Sequence, residues 1–234
     1  MRKFRCFSLI FLIVFCQESV AQVEHHLESW NSAQILGSLS KDKKFKYYIQ
    51  PQIAFIDREN KFRGAFLFLG LGYRLTPDLI VWLMDGESNI KKAKGGVRQI
   101  NTIREEIDWH TWQTNPLNFK TTAWANVFRL EERKESSSSQ WLFRAREKVV
   151  FRTPFKSWKN HSFVAFDETF FDFNHPAWTN SDSFFQQNQL FLGVGTSFSK
   201  VAFDLGYLNQ YVLNNTPQMN SIIYLIFYIN VDVL

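Results

Sequence analysis

Between Thr121 and Arg152 the chain alternates apolar and charged residues so regularly that few folds accommodate it. On the first arm Trp124, Phe128 and Leu130 share one face, while Arg129, Glu131 and Arg133 share the other. After the polar tip Glu135-Ser136-Ser137-Ser138-Ser139 the second arm repeats the pattern. Trp141, Phe143, Val149 and Phe151 oppose Arg144, Arg146, Lys148 and Arg152. Side chains of a strand repeat every two residues, so this hairpin has one apolar wall and one ladder of charges. A soluble sandwich with a dry inside and a wet outside shows the same alternation. Strand length, the number of repeats and the segment that precedes them separate the two cases.

Residues 1–21 read as a secretory leader. Arg2, Lys3 and Arg5 precede an apolar run from Cys6 to Cys16, and Ser19-Val20-Ala21 suits cleavage before Gln22. The run is too short for the ~20 residues of a spanning helix. Phe15 stands where lipoprotein processing at Cys16 requires a small residue. Both cysteines lie in this leader, so the expected mature chain has neither a disulfide framework nor thiolate metal sites. No later apolar run is long enough for a membrane helix.

Without the leader the net charge falls from +5 to about +3, with both signs mixed along the strands. A nucleic-acid binder concentrates its cations on one face, so none is expected as a partner. Aromatic residues make up 17% of the chain and Phe alone contributes 25, a surplus that aromatic girdles and an outer apolar band would use. Mean hydropathy stays negative because each apolar residue alternates with a polar one.

Strand segments follow one another closely. They run Leu27 to Leu39, Lys44 to Ile56, Phe62 to Leu75, Leu79 to Gly86, Val97 to Gln113 and Phe119 to Arg133. Beyond the second arm of the hairpin come Trp158 to Phe173, Phe184 to Ser199, Val201 to Leu213 and Met219 to Val233. Ala65, Leu67, Leu69, Leu71 and Tyr73 occupy one face of the third segment, and Gly64, Gly70 and Gly72 the other. Turns are placed at Thr76-Pro77-Asp78 and Thr114-Asn115-Pro116, with loops at Lys91 to Gly96 and Asn174 to Ser183. Many segments exceed the ~5–6 residues usual in soluble sheets and reach the ~9–11 that cross a membrane at a tilt. Trp109, Trp124, Trp141 and Trp158 fall near segment ends, as interfacial aromatics do. The expectation is all-β: a single antiparallel transmembrane β-barrel over residues 22–234. Single-chain bacterial barrels use even strand numbers, which favours about twelve strands, or ten, over the eleven segments counted. A twelfth would lie near Ser88 to Gln99, or the first segment would be an extra.

The order of several short motifs carries a family resemblance. They are Trp30, Gly70-Leu71-Gly72-Tyr73, Arg129-Leu130-Glu131-Glu132-Arg133, Phe143-Arg144-Ala145-Arg146, Asp167-Glu168, Gln187-Asn188-Gln189 and Gly206-Tyr207-Leu208. In this order the chain resembles the domain of unknown function 2490 family over nearly all of residues 27–234. The chain departs from the pattern at Gln189, where an Arg is expected, and at Leu234, where barrels often end in an aromatic. The resemblance implies a Gram-negative outer-membrane barrel and brings no catalytic residues. Outer-membrane lipid, lipopolysaccharide and the barrel-assembly machinery are the partners expected of such a barrel.

The inner wall is expected to hold Arg104, Glu106, Asp108 and His110, then Arg129, Glu131 and Arg133, then Arg144, Arg146 and Lys148, and finally Glu168, Asp172, Gln187 and Gln189. In simple register Glu106 and Asp108 lie near Arg129 and Arg133, and Glu168 lies near Arg146. One reading is a network of ion pairs that plugs the barrel, since charges cannot sit unpaired where water is scarce. Another is a narrow pore whose cations attract small anionic solutes. A third class is an outer-membrane lipid hydrolase. His161 and Ser162 are adjacent, so on a strand they point to opposite faces and form no dyad. His110 has Asp108 as an orienting carboxylate, but no Ser follows on that face. A fourth is a soluble periplasmic sandwich or barrel that binds a lipid. The expected role is non-catalytic, without metal or cofactor: a narrow channel or a structural envelope protein.

Overall fold

A computed structural model describes residues 23–56, 61–92, 95–110, 122–179, 182–214 and 216–232. The leader, the turn at Thr114-Asn115-Pro116, the side chain of His110 and Leu234 lie outside the described residues. The described chain is all strand and connection: β1 (Glu24–Ser38), β2 (Phe45–Ile56), β3 (Lys61–Thr76), β4 (Leu79–Lys91), β5 (Val97–His110), β6 (Ala123–Glu135), β7 (Trp141–Pro154), β8 (His161–Asp172), β9 (Phe185–Phe198), β10 (Val201–Val212) and β11 (Gln218–Asn230).

Each strand pairs antiparallel with the next, and the sheet closes on itself. The expectation of twelve or ten strands is corrected to eleven. No extra strand lies near Ser88 to Gln99, because β4 continues to Lys91 and β5 begins at Val97. Nor is the first segment surplus. In an up-and-down sheet of eleven strands the first and last run the same way, so closure has to be parallel. Glu24 pairs with Gln218, and the register continues to Leu36 with Asn230. One seam of the otherwise antiparallel barrel is therefore parallel. The odd count also puts the two ends of the sheet at opposite mouths. β1 starts at the mouth formed by the connections after β2, β4, β6, β8 and β10, here the loop mouth. β11 ends at the other, the turn mouth, where Pro77-Asp78 and Ser199-Lys200 are two-residue connections.

The end of the seam is latched at the turn mouth. The Val231 amide donates to the Leu36 carbonyl at 2.9 Å, and the Tyr47 hydroxyl donates to the Val231 carbonyl at 2.6 Å. Asp232 accepts from the Ser38 amide and from Lys43 Nζ, each at 3.0 Å. This close approach requires Gly37, since a Cβ there would lie 1.8 Å from the Val231 oxygen. The hydrogen bond from Lys43 holds the Asp232 carboxyl below its usual value of 3.8. A carboxyl whose pKa falls on folding contributes stability above its unfolded value and loses it as the pH drops through the folded one. The Asp232 contacts are thus expected to hold at about pH 5 and to open only below the ordinary carboxylate range. Amide exchange at Ser38 checks this, and undiminished protection in strong acid would show that the carboxylate does not secure the latch.

Inward positions are the even residues on β1–β5 and the odd residues on β6, as the hairpin pattern requires. They are not uniformly polar. Val164, Phe166, Phe191, Leu208, Ile222, Tyr224 and Ile226 form an apolar core on β8–β11, joined by Trp30, Val150 and Tyr228. A second cluster places Ile80, Trp82 and Met84 of β4 against Tyr48 of β2. Gly72 makes room for it, because a Cβ there would lie 2.4 Å from the Trp82 ring. The expected inner-wall charges occupy mainly β5–β8, and large apolar side chains fill much of the rest of the interior. Outward positions carry Leu67, Leu69 and Leu71 on β3, Phe128 and Leu130 on β6, and Leu190, Leu192 and Val194 on β9, all exposed.

Candidate functional site

The charges predicted for the inner wall meet where β5, β6, β7 and β8 lie side by side. Register brings them together: Arg104 is opposite Glu131, Glu131 opposite Arg144, and Arg144 opposite Asp172. Two residues along, Glu106 is opposite Arg129 and Arg129 opposite Arg146. Directly opposite residues share a face about 5 Å apart, so neighbouring charges have to pair.

Six side chains form one alternating chain. Arg104 Nε donates to Glu131 Oε1 at 2.8 Å, and the same oxygen accepts from Arg146 Nη1 at 2.8 Å. Arg146 Nη2 and Nε donate to Glu168 Oε1 at 2.7 and 3.0 Å. Glu168 also accepts from Arg129 Nη1, and Arg129 Nε donates to Glu106. Three guanidiniums thus alternate with three carboxylates. Arg144 makes a two-pronged bond to Asp172 at 2.6 and 3.0 Å and reaches Gln186 at 3.4 Å. Aromatic faces cover the flanks: Arg104 lies 3.8 Å from the Phe68 centroid and Arg146 4.3 Å from that of Phe170. Planar forks satisfied from several sides are what make buried arginine tolerable. The arrangement cross-braces four strands.

Some expectations need correction. Glu106 with Arg129 and Glu168 with Arg146 pair as the register implied. Asp108 does not join an arginine: it lies opposite Val127, and its Oδ2 accepts from Trp82 Nε1 at 2.9 Å. Arg133 lies opposite Thr102 and ion-pairs with no carboxylate among the described residues. Lys148 sits with Nζ 3.7 Å from the Phe166 centroid. Gln187 and Gln189 are buried on β9, facing inward. His161 and Ser162 point to opposite faces: His161 Nδ1 meets Thr196 Oγ1 at 2.9 Å, while Ser162 is buried inside and accepts from Arg152.

A second inward pair escaped the sequence reading. Arg152 on β7 donates to Asp204 on β10 at 2.6 Å, two strands beyond its neighbour. It reaches across because Ser162 is opposite Gly195, and Gly195 opposite Asp204. The glycine leaves that lane open. Only the composition of β9, glycine at Gly193 and Gly195, hinted at a long reach. Among the described residues no group of three or more His, Cys, Asp or Glu is placed to hold a metal ion.

No curated protein and no solved structure matches the chain. A family model does match, over residues 27–220, a range that takes in β2 to β10, the whole charge network and the Arg152–Asp204 pair. The chain therefore belongs to the family described as protein of unknown function (DUF2490).

Proposed function

We propose that this chain is an outer-membrane β-barrel of a Gram-negative bacterium that serves as a closed, structural component of the envelope. The observation that carries the reading is the inversion of polarity across the wall. Large apolar side chains stand exposed on the outward face of successive strands, while Arg104, Glu106, Glu131 and Glu168 are buried inside. A water-soluble barrel would do the opposite. Strands of 12 to 16 residues leave a few beyond the ~9–11 that a tilted crossing uses. Outward Glu87, Asn101 and Lys134 lie on such an overhang at the loop mouth. Exposed Trp109, Trp124 and Trp158 ring the turn mouth, and Trp141, Phe173 and Phe184 the loop mouth, as interfacial girdles do. The apolar band is interrupted by exposed Asp85, Glu105 and Glu147 on β4, β5 and β7, and on β8 and β9 by Asp167, Thr169 and Asn188, which satisfy one another. The leader at residues 1–21 would deliver the chain to the assembly machinery, and lipid and lipopolysaccharide would surround it.

The filled interior supports a closed barrel over a channel, and the proposed role is non-catalytic. Two measurements test it. Leu69, 47% exposed, lies midway along the apolar run of β3, and Leu75, 55% exposed, lies at its end. In a bilayer, Leu69→Arg is expected to cost about 2–4 kcal/mol and Leu75→Arg about 0–1. On a surface in water both would stay within about 0.5 kcal/mol. Unfolding by urea from lipid vesicles separates the cases, and equal small losses would sink the membrane reading. In planar bilayers the refolded barrel is expected to insert without stepwise current. Steady unitary currents would replace the closed barrel with a pore.

A further inference from the structure

Two cations expected on the inner wall, Lys148 and Arg133, ion-pair with no carboxylate among the described residues, and Lys148 is covered by the Phe166 ring. Arg104, Arg129, Arg144, Arg146 and Arg152 each hold a carboxylate. Arg133, on the inward face of β6 towards the loop mouth, makes no hydrogen bond to any described residue. It is partly exposed, so solutes at that mouth can reach it. Directly across on β5 is Thr102, 1% exposed, whose Oγ1 has no hydrogen-bond partner among the described residues. Nearer the mouth Arg98 also has a buried Nε with no hydrogen bond. Its nearest carboxylate, Glu135 at 3.7 Å, is shared with Lys92 at 3.4 Å. Around Glu135 the cations Lys92, Arg98 and Arg133 therefore outnumber the one carboxylate, and an orphaned hydroxyl stands on the residue opposite the unpaired arginine.

These groups are complementary to an oxyanion. A guanidinium presents parallel N–H donors that match two oxygens of a phosphate or carboxylate, and a threonine hydroxyl adds a third donor from the neighbouring strand. Opposite positions about 5 Å apart let one small anion touch both. Buried Leu142, opposite Arg133 on β7, flanks the position with an apolar side chain, which strengthens charged hydrogen bonds beside it. Water would satisfy Thr102 but leave the positive charge uncompensated.

We propose that the loop mouth holds an oxyanion-binding site formed by Arg133 and Thr102, with Arg98 adding positive potential. Its ligand is a phosphate-class anion, either free or carried on a lipid headgroup. The site rests on the inward placement of these residues, not on membrane insertion, so failure of the Leu69→Arg test leaves it standing.

Calorimetric titration of the refolded protein in uncharged detergent tests it, with inorganic phosphate in one arm and short-chain phosphatidic acid in the other. Saturable binding is expected in at least one arm. Binding of inorganic phosphate, alone or in both arms, points to a free solute, and binding of phosphatidic acid alone to a headgroup. Arg133→Gln is expected to weaken binding about tenfold or more, the worth of a charged hydrogen-bond pair. Lys200→Gln, at the opposite mouth, is expected to leave it unchanged. Thr102→Val removes an unpartnered buried hydroxyl. It should therefore weaken binding several-fold without lowering the unfolding midpoint, a combination a merely structural hydroxyl would not produce. Heat-modifiable gel mobility verifies that each variant is folded. No saturable binding of either probe, or binding indifferent to Arg133→Gln in folded protein, overturns the site.

Discussion

Glu168→Gln is expected to destabilise the barrel by about 3–5 kcal/mol, the cost of leaving buried charge uncompensated. Glu168 is 3% exposed and is the carboxylate through which Arg129 and Arg146 are joined. Gln keeps the volume, so the loss reports charge rather than packing. Its amide group would also present a donor where two guanidiniums already point. The remaining carboxylates, Glu106 and Glu131, would then serve three arginines. Urea unfolding followed by tryptophan fluorescence measures the effect, with exposed, outward Glu147→Gln expected to stay within about 0.5 kcal/mol. A loss below about 1 kcal/mol for Glu168→Gln would mean that water reaches the network and screens it, and that the cross-brace is not what holds β5–β8.

Phe191→Ala is expected to cost about 3–5 kcal/mol, as truncation of a packed aromatic does. Phe191 is 0% exposed, stacks on Phe166 at a centroid distance of 4.8 Å and meets Tyr224 edge-on at 6.2 Å. Its ring lies over the inward glycines Gly193 and Gly206 of β9 and β10, which have no side chain to fill the space from below. Phe191→Leu, which keeps most of the volume, is expected to cost less than about 1.5 kcal/mol. The comparison also decides what the interior is. In a wide, water-filled lumen the ring would already be wetted, and both substitutions would cost little. A large difference between them identifies a packed core, and with it a barrel stabilised from inside as well as by lipid.

Much of this architecture was legible in the chain because alternation is a local property. Where one face is charged and the other apolar, as in Trp124 to Arg133, two-residue periodicity assigns every side chain to a wall. Each strand segment expected from the pattern is present, although β4 runs five residues beyond Gly86. Ion pairs between consecutive strands were legible for the same reason: a hairpin sets its own register, so Glu106 faces Arg129 and Glu168 reaches Arg146. On β11 the signal fades. Ile222, Ile223, Tyr224, Leu225, Ile226 and Phe227 are apolar on both faces, and alternation carries no phase when its two states are alike. The apolar half of the interior was therefore invisible, and the lumen looked more polar than it is. Arg152 with Asp204 was hidden for another reason. The partners sit on strands that are not neighbours, and only the empty lane at Gly195 brings them together.

The sequence by itself determined where the strands are, which wall most charges occupy and which charges meet their nearest neighbours. All of these depend on positions two residues apart or across one turn. The tertiary structure alone decided that the eleven segments close without a further strand, the parallel seam between β1 and β11, and the latch of Val231 and Asp232 against Gly37 and Lys43. It also decided that, of six cations on the ladder, Arg133 and Lys148 ion-pair with no carboxylate among the described residues. Those outcomes join residues nearly the whole chain apart, or depend on which side chains fill a closed interior. Closure is a property of the complete sheet, and no local pattern encodes it.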